Sequence, residues 1–391
     1  MIAFAGKWAL KAADAIFRPL PLRDRVVLAS SHTSHLSGNL EFIADELARR
    51  GLSDRVVVLA APARRGALGK VATLLSGIRA EYYLATSRVF IVDDYFFPLY
   101  VARRKAGTTV VQTWHASGAF KKVGYSVLDK SFGASENLVH HVAIHSNYDV
   151  VLMGSQTAVP AYSDAFGQPP TRFVSSIGIP RTDIFFDAEK IARVSAAVRA
   201  KYTLPAGKRV ILYAPTFRGD SKQEAAYHDH LDLDAMRARL GDSAVVLLRL
   251  HPFVASHTAL DESLAGFVVD VSDHPDINEL MLVSDVLVTD YSSAIFEFSL
   301  LGRPMAFFAP DFEAYEAERG FYFPYAEGVP GPVFTTGEAL GDYLAAGVFD
   351  TARVERFRAD SFEVADGHAS ERFVDTLVIP ALEHGGAHVV E

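Results

Sequence analysis

The chain alternates short apolar runs with amphipathic stretches over most of its length. Val26 to Ala29 reads as a buried strand, Asn39 to Arg50 as a helix, Val56 to Ala60 as a second strand and residues 68–79 as a second helix. Val89 to Val92 and Thr109 to Trp114 continue the series, with further strand-like segments through Ile144 and at Phe173 and Val174. Residues 184–201 have helical spacing, and Leu204 to Gly207 breaks the chain before a fresh strand, Arg209 to Ala214. A second series follows through Ala244 to Leu250, Phe267 to Val271, Ile277 to Val283 and Val286 to Thr289. After these comes a helix from Tyr291 to Leu301, stopped by Gly302 and Pro304, and then Met305 to Ala309. Such alternation predicts an α/β protein with mostly parallel sheets covered by helices, binding ligands at the carboxyl ends of its strands. The two series are nearly equal in size and predict two Rossmann-like units, residues 21–183 and 184–391, with a cleft between them.

Residues 1–20 stand apart from this alternation. Lys7, Lys11, Asp14 and Arg18 are spaced by four, three and four and so share one helical face, while Ile2, Phe4, Trp8, Leu10, Ile16 and Phe17 cover the rest. That pattern predicts a helix lying in a membrane interface, with a terminal helix packed on its own domain as the alternative. Charge supports the first reading. Residues 1–122 carry 18 Lys/Arg against 9 Asp/Glu, although the whole chain has a net charge of −9. A basic first third suits an anionic membrane surface or an acidic acceptor, and no nucleic-acid motif accompanies it. The chain has no cysteine, which excludes disulfides and thiolate sites, and no uninterrupted apolar run long enough for a membrane span. Lys7, Lys11 and Asp14 also break the apolar core that a secretory signal needs.

Four polar clusters end predicted strands. They are Thr113 to Gly118 with Lys121 and Lys122; Tyr213 to Arg218, including Pro215 and Thr216; Arg249 to Pro252, including His251; and the turn Thr289, Asp290, Tyr291, Ser292, Ser293. The last lies at a helix N-terminus, where free backbone N–H groups and the helix dipole favour an anion, although two serines there also serve as ordinary caps. Imidazoles, guanidinium groups and hydroxyls at strand ends suit holding a diphosphate and moving a proton, and no cluster is spaced for a metal. His115 beside Trp114 and His251 before Pro252 are the two candidate catalytic imidazoles; taken alone, His115 reads better as a buried, hydrogen-bonded structural histidine, and His251 also reads as a strand-end cap.

Taken together, eight ordered motifs resemble the CDP-glycerol glycerophosphotransferase family of teichoic-acid and capsule enzymes. They are Gly38-Asn39, the Trp114-His115 segment, Gly178 to Asp183 with Arg181, Tyr213 to Arg218, Arg249 to Pro252, Thr289 to Ser293, Gly320 to Phe323 and Asp366 to Arg372. The resemblance spans about residues 26–378. It implies the GT-B fold, with the acceptor on the first unit and the nucleotide donor on the second. It further implies attack by an acceptor hydroxyl on the glycerol-bearing phosphorus of CDP-glycerol, or a related CDP-alditol, with CMP leaving and no bound cofactor. The acceptor implied is a lipid-linked saccharide, or a growing teichoic-acid or capsule polymer, at the cytoplasmic face of the cell membrane.

In that scheme His115 is the general base, since an imidazole titrating near neutrality suits proton removal. His251, Arg218, Thr289, Asp290, Ser292 and Ser293 hold the diphosphate, Pro215 and Thr216 shape the cytidine pocket, and Arg181, Lys121, Lys122 and Asn39 are further cleft candidates. Family polymerases commonly read Trp-His-Gly-Thr-Pro-Leu-Lys, whereas this chain reads Trp114-His-Ala-Ser-Gly-Ala-Phe-Lys-Lys122, closer to the primases that add a first unit. The short N-terminal part agrees with a primase. Glu297 stands where many relatives carry Asp, at the proposed contact with alditol or ribose hydroxyls. The competing readings are a CDP-ribitol ribitolphosphotransferase, a GT-B sugar transferase and a non-catalytic membrane-bound scaffold.

Overall fold

The computed structural model describes residues 2–62, 66–128, 130, 139, 142–216, 231–250 and 261–384. Two six-stranded sheets organise them, and every strand pair in both is parallel. The first has the order β2-β1-β3-β4-β5-β6, built from β1 (Arg23–Ser30), β2 (Val56–Ala60), β3 (Ser87–Val92), β4 (Thr109–Gln112), β5 (Val150–Leu152) and β6 (Phe173–Val174). The second has the order β12-β11-β10-β7-β8-β9. It comprises β7 (Arg209–Ala214), β8 (Ala244–Leu248), β9 (Val268–Asp270), β10 (Val286–Thr289), β11 (Met305–Phe308) and β12 (Val333–Phe334). Val26, Val27, Leu28 and Ala29 are all fully buried, as a continuous apolar run must be in a sheet covered on both faces. The strand order reverses between β1 and β3 in the first sheet and between β7 and β10 in the second. These are the positions where doubly wound sheets open a crevice.

Element ends differ from the sequence reading for local reasons. β4 stops two residues short of Trp114, whose φ of 55° turns the chain out of the sheet. The helix expected over 68–79 extends to Gly66–Thr86, and the one expected from residue 184 begins at Ala188, where the Asp187 carboxylate accepts a bond from Lys190 N–H at 2.9 Å. Ile144 lies outside any strand. The helix read over Tyr291 to Leu301 is confined to Ala294–Ser299.

Helix α1 (Ile2–Phe17) packs along α3 (Gly66–Thr86), and α2 (Gly38–Arg49) lies on the first sheet. Leu10 and Ala13 point inward. A Cβ at Gly77 would stand 2.9 Å from Leu10 Cδ2, so the glycine lets the two helices approach. Asp14, expected on a solvated charged face, is instead buried and ion-paired with Arg103 Nε at 2.7 Å. The apolar arc of α1 is thereby divided, with Leu10 turned to α3 while Trp8 and Ile16 remain 55% and 69% exposed.

The closing motif has a structural role. Asp366 pairs with Arg372 at 2.9 and 2.8 Å, Arg372 Nε donates to Ile177 O at 3.0 Å, and Asp183 accepts from the backbone of Ala369 and Ser370 at 2.9 and 2.8 Å. Arg50 of the first unit pairs with Asp375. The C-terminal helices thus return to the first unit and hold the Gly178 to Asp183 segment in place.

Candidate active site

The first half of the cleft is built at the end of β4. Asn39, buried near the start of α2, donates to Thr113 O at 3.2 Å and Trp114 O at 2.9 Å, while Trp114 N–H donates to Gln112 Oε1 at 2.8 Å. The indole is buried and bonded to Tyr162 Oη at 3.2 Å. A left-handed tryptophan is a costly conformation that persists because these contacts determine it. Its consequence is that the next residue, His115, leaves the sheet and looks into the cleft. Asn39 is accordingly scaffold for this turn.

Asp94 lies two residues past β3 and His32 two residues past β1, so both stand at the switch point of the first sheet. Asp94 Oδ2 lies 2.6 Å from His32 Nε2 and 3.4 Å from His115 Nδ1. The side chain of His115 is 51% accessible, yet protein surrounds it within the cleft, and this burial lowers its pKa below 6.5. Asp94 opposes that shift, whereas Arg181, His32 and Lys121 add to it. The imidazole is therefore neutral at pH 7 and able to accept a proton. Burial works against the charge of Asp94, but the bond from His32 and the fields of His115 and His32 prevail and hold it below its ordinary value.

Arg181 ties this half to the other. Its Nη1 donates to His115 O at 2.9 Å, its Nη2 to Ser117 Oγ at 3.4 Å, and both Nε, at 3.1 Å, and Nη2 bond the Glu297 carboxylate. Ser117 Oγ donates to the same Glu297 oxygen at 2.5 Å. Glu297, expected near alditol or ribose hydroxyls, is thus placed in a buried clamp between the units. Gly118 is needed at the adjoining contact, because a Cβ there would lie 2.3 Å from Phe296 Cε1. Farther along the loop Lys121 forms a bridge with Phe321, and Lys122 N–H donates to Gly320 O at 3.1 Å. A cavity of about 1220 Å³ has His115, Lys121 and Lys122 in its wall, together with Phe96, Trp114 and Leu10.

The second half lies where β7 and β10 end side by side. Thr289 is buried and its hydroxyl donates to Ala214 O at 2.7 Å, so it closes the sheet rather than facing the cleft. Asp290 Oδ1 accepts from Thr216 N–H at 2.8 Å and Tyr291 N–H at 2.5 Å, fixing Pro215 and Thr216 beside the turn. Ser292 Oγ accepts from Ala294 N–H at 3.2 Å and Ser293 O from Phe296 N–H at 3.1 Å; both serines are half-buried. Arg218 and His251 lie outside the described residues.

The structure therefore brings His115, Lys121 and Lys122 to one cavity and joins them through Arg181 to the helix that follows the Thr289 to Ser293 turn. Asp94 and His32 were missed by the sequence reading, and Ser117, inside the Thr113 to Gly118 cluster, was given no role of its own. The Asp93-Asp94 pair at the end of an otherwise apolar predicted strand was the available signal.

Two Rossmann-type units, each presenting the polar ends of its strands to a common cleft, define the GT-B fold. Over residues 14–379 the sequence matches the family described as CDP-Glycerol:Poly(glycerophosphate) glycerophosphotransferase, and the chain belongs to that family, as its motifs imply. It is 40% identical over 361 residues to a teichoic acid ribitol-phosphate primase of Bacillus spizizenii, covering 92% of each chain. A teichoic acid glycerol-phosphate primase of the same species is 30% identical over 296 residues, 76% of this chain and 75% of that one. The teichoic acid poly(ribitol-phosphate) polymerase of that species is 35% identical over 94% of this chain, which spans 58% of its length. Among solved structures, the wall teichoic acid polymerase TagF has the same fold, with a TM-score of 0.77 at 24% identity, covering 97% of this chain and 94% of that one.

Proposed function

We propose that the protein is a primase that moves an alditol phosphate from a CDP-alditol to a hydroxyl of a lipid-linked saccharide, releasing CMP. The observation that carries this reading is His115. It is a neutral imidazole in the cleft, at the end of a strand of the first unit, and its backbone is tied through Arg181 to the helix behind the Thr289 to Ser293 turn. The acceptor oxygen bonds to the alditol-bearing phosphorus, its proton passes to His115, and the bond to CMP breaks with the electron pair leaving on CMP. Ser292, Ser293, His251 and Arg218 are assigned to the diphosphate by the family resemblance, and Pro215 and Thr216 to the base. Lys121 and Lys122, in the cavity with His115, supply positive charge on the acceptor side.

For the alditol, the 40% likeness to a ribitol-phosphate primase over 92% of both chains supports CDP-ribitol. CDP-glycerol, the donor expected from the sequence, is the second reading, favoured by the family description and by the 30% likeness to a glycerol-phosphate primase. We further assign the working surface to the cytoplasmic face of the membrane, through the apolar side chains that α1 and α3 expose together. These are Trp8, Ile16, Leu68, Val71 and Leu75, with Leu68 87% exposed. Among the described residues no helix is long and apolar enough to cross a membrane. Nucleotide release with CDP-ribitol, CDP-glycerol and a UDP-sugar, over a lipid-linked disaccharide, tests the reading. Acceptor-dependent CMP release from CDP-ribitol is expected, and release only from the UDP-sugar would overturn it in favour of a sugar transferase.

A further inference from the structure

We infer that Asp94 is the positioning carboxylate of His115 and that His32 competes with His115 for it, so that three residues in the loops just past β1, β3 and β4 act as one proton-handling unit. The inference rests on the proposed reaction in taking His115 as the base. One oxygen is at issue. Asp94 Oδ1 is held by Tyr95 N–H at 2.6 Å, and the side chain is only 14% exposed, which leaves Oδ2 as the oxygen presented to the two rings. That atom lies 2.6 Å from His32 Nε2, a short charge-assisted contact, and 3.4 Å from His115 Nδ1, beyond a well-formed N–H···O bond. In the resting arrangement the carboxylate serves His32.

His115 is fixed at its backbone, through Arg181 on its own carbonyl and Asn39 on the carbonyls of Thr113 and Trp114. His32 follows the sheet in a loop, and its side chain is 57% exposed. A swing of His32 away from the carboxylate releases Oδ2 to His115 Nδ1. A carboxylate on Nδ1 keeps that proton in place, turns Nε2 into the accepting nitrogen and stabilises the imidazolium formed when the acceptor hydroxyl gives up its proton. The other charged or titratable groups around His115 are Arg181, Lys121 and His145, and Asp93 stands beside Asp94. Arg181 and Lys121 disfavour the imidazolium, Asp93 is pushed up to about 6 by burial and by Asp94, and His145 is held at about 3 by burial and remains uncharged. Asp94 is the one group among these that raises the basicity of His115.

The competition predicts opposite effects at the two neighbours. Asp94→Asn should lower the pKa of His115, read by NMR titration of its imidazole in substrate-free protein. It should also lower kcat about 10- to 10³-fold with donor KM within a few-fold. His32→Ala should raise the same pKa and move the acid limb of kcat/KM to higher pH by the same amount, without changing donor KM. His115 titrations that do not move, or that move in one direction for both variants, overturn the inference. If Asp94→Asn does not fold, the His32→Ala titration decides alone, since the exposed side chain can be removed without loss of packing: an upward shift supports the competition, and no shift or a downward one overturns it. The titration uses no donor, so absent transfer by the wild-type protein would count against the proposed function and leave this result standing.

Discussion

His115 owes its position to a strained neighbour and its chemistry to what surrounds the ring. Replacing it by alanine should lower turnover on the order of 10²–10⁴-fold while leaving donor affinity, measured by calorimetry, within a few-fold, because the diphosphate is assigned to the other unit. Loss of donor affinity with unchanged single-turnover chemistry would place it among the binding groups instead. At this scale the sequence was informative where residue type alone sets the chemistry: an imidazole, two lysines and a serine-rich turn at predicted strand ends. It was silent where direction matters. Thr289 reads like any phosphate-binding hydroxyl, yet its Oγ1 faces Ala214 O across the sheet. Glu297 reads like a sugar-binding carboxylate, yet Arg181 and Ser117, 116 and 180 residues away in the chain, converge on it.

Among the elements, the loop from Trp114 to Lys122 meets the second unit at Glu297, Phe296, Gly320 and Phe321. Arg181 and Glu297 are largely buried, with side chains 15% and 4% accessible, so removing one partner leaves the other charge without compensation. Arg181→Met should cost about 3–5 kcal/mol in urea unfolding, and the double variant with Glu297→Gln should recover part of it. Additive losses would show that the two do not act as a pair. A second element carries a pH signature. Glu81 on α3 is buried, neither carboxylate oxygen has a hydrogen-bond partner among the described residues, and burial, with the nearby charge of Asp14, pushes its pKa up to about 9. The folded state therefore binds a proton that the unfolded chain releases near 4.5. The stability Glu81 contributes is fully present below that lower value and is lost as pH rises toward 9, at up to about 1.4 kcal/mol per pH unit. Glu81→Gln should flatten this fall and raise the melting temperature at pH 8; an unchanged pH dependence would contradict the assignment. Element types were legible from apolar spacing, whereas their ends were not. The extent of β4 is set by the φ of Trp114, and that of Ala294–Ser299 by the turn before it, both fixed by contacts from distant parts of the chain.

For the whole molecule, the alternation of strand and helix foretold two parallel sheets, but not that the last helices cross back to the first unit through Arg50 and Asp183. Nor did it show that α1 would pair with α3 and divide its apolar arc. The membrane assignment now rests on both helices. Trp8→Ser, Leu68→Ser and Leu75→Ser together should release the protein from anionic liposomes in a flotation assay while leaving turnover of a soluble acceptor analogue nearly unchanged. Retained flotation of the folded triple variant would remove this face from the membrane contact. The central claim is that a base from one unit and a donor held by the other transfer an alditol phosphate across the cleft. Its most direct test is the intact mass of a lipid-linked disaccharide after incubation with CDP-ribitol. The account predicts a gain of one ribitol phosphate with the wild-type protein and almost none with His115→Ala; an acceptor of unchanged mass with either CDP-alditol, alongside a folded enzyme, would contradict it.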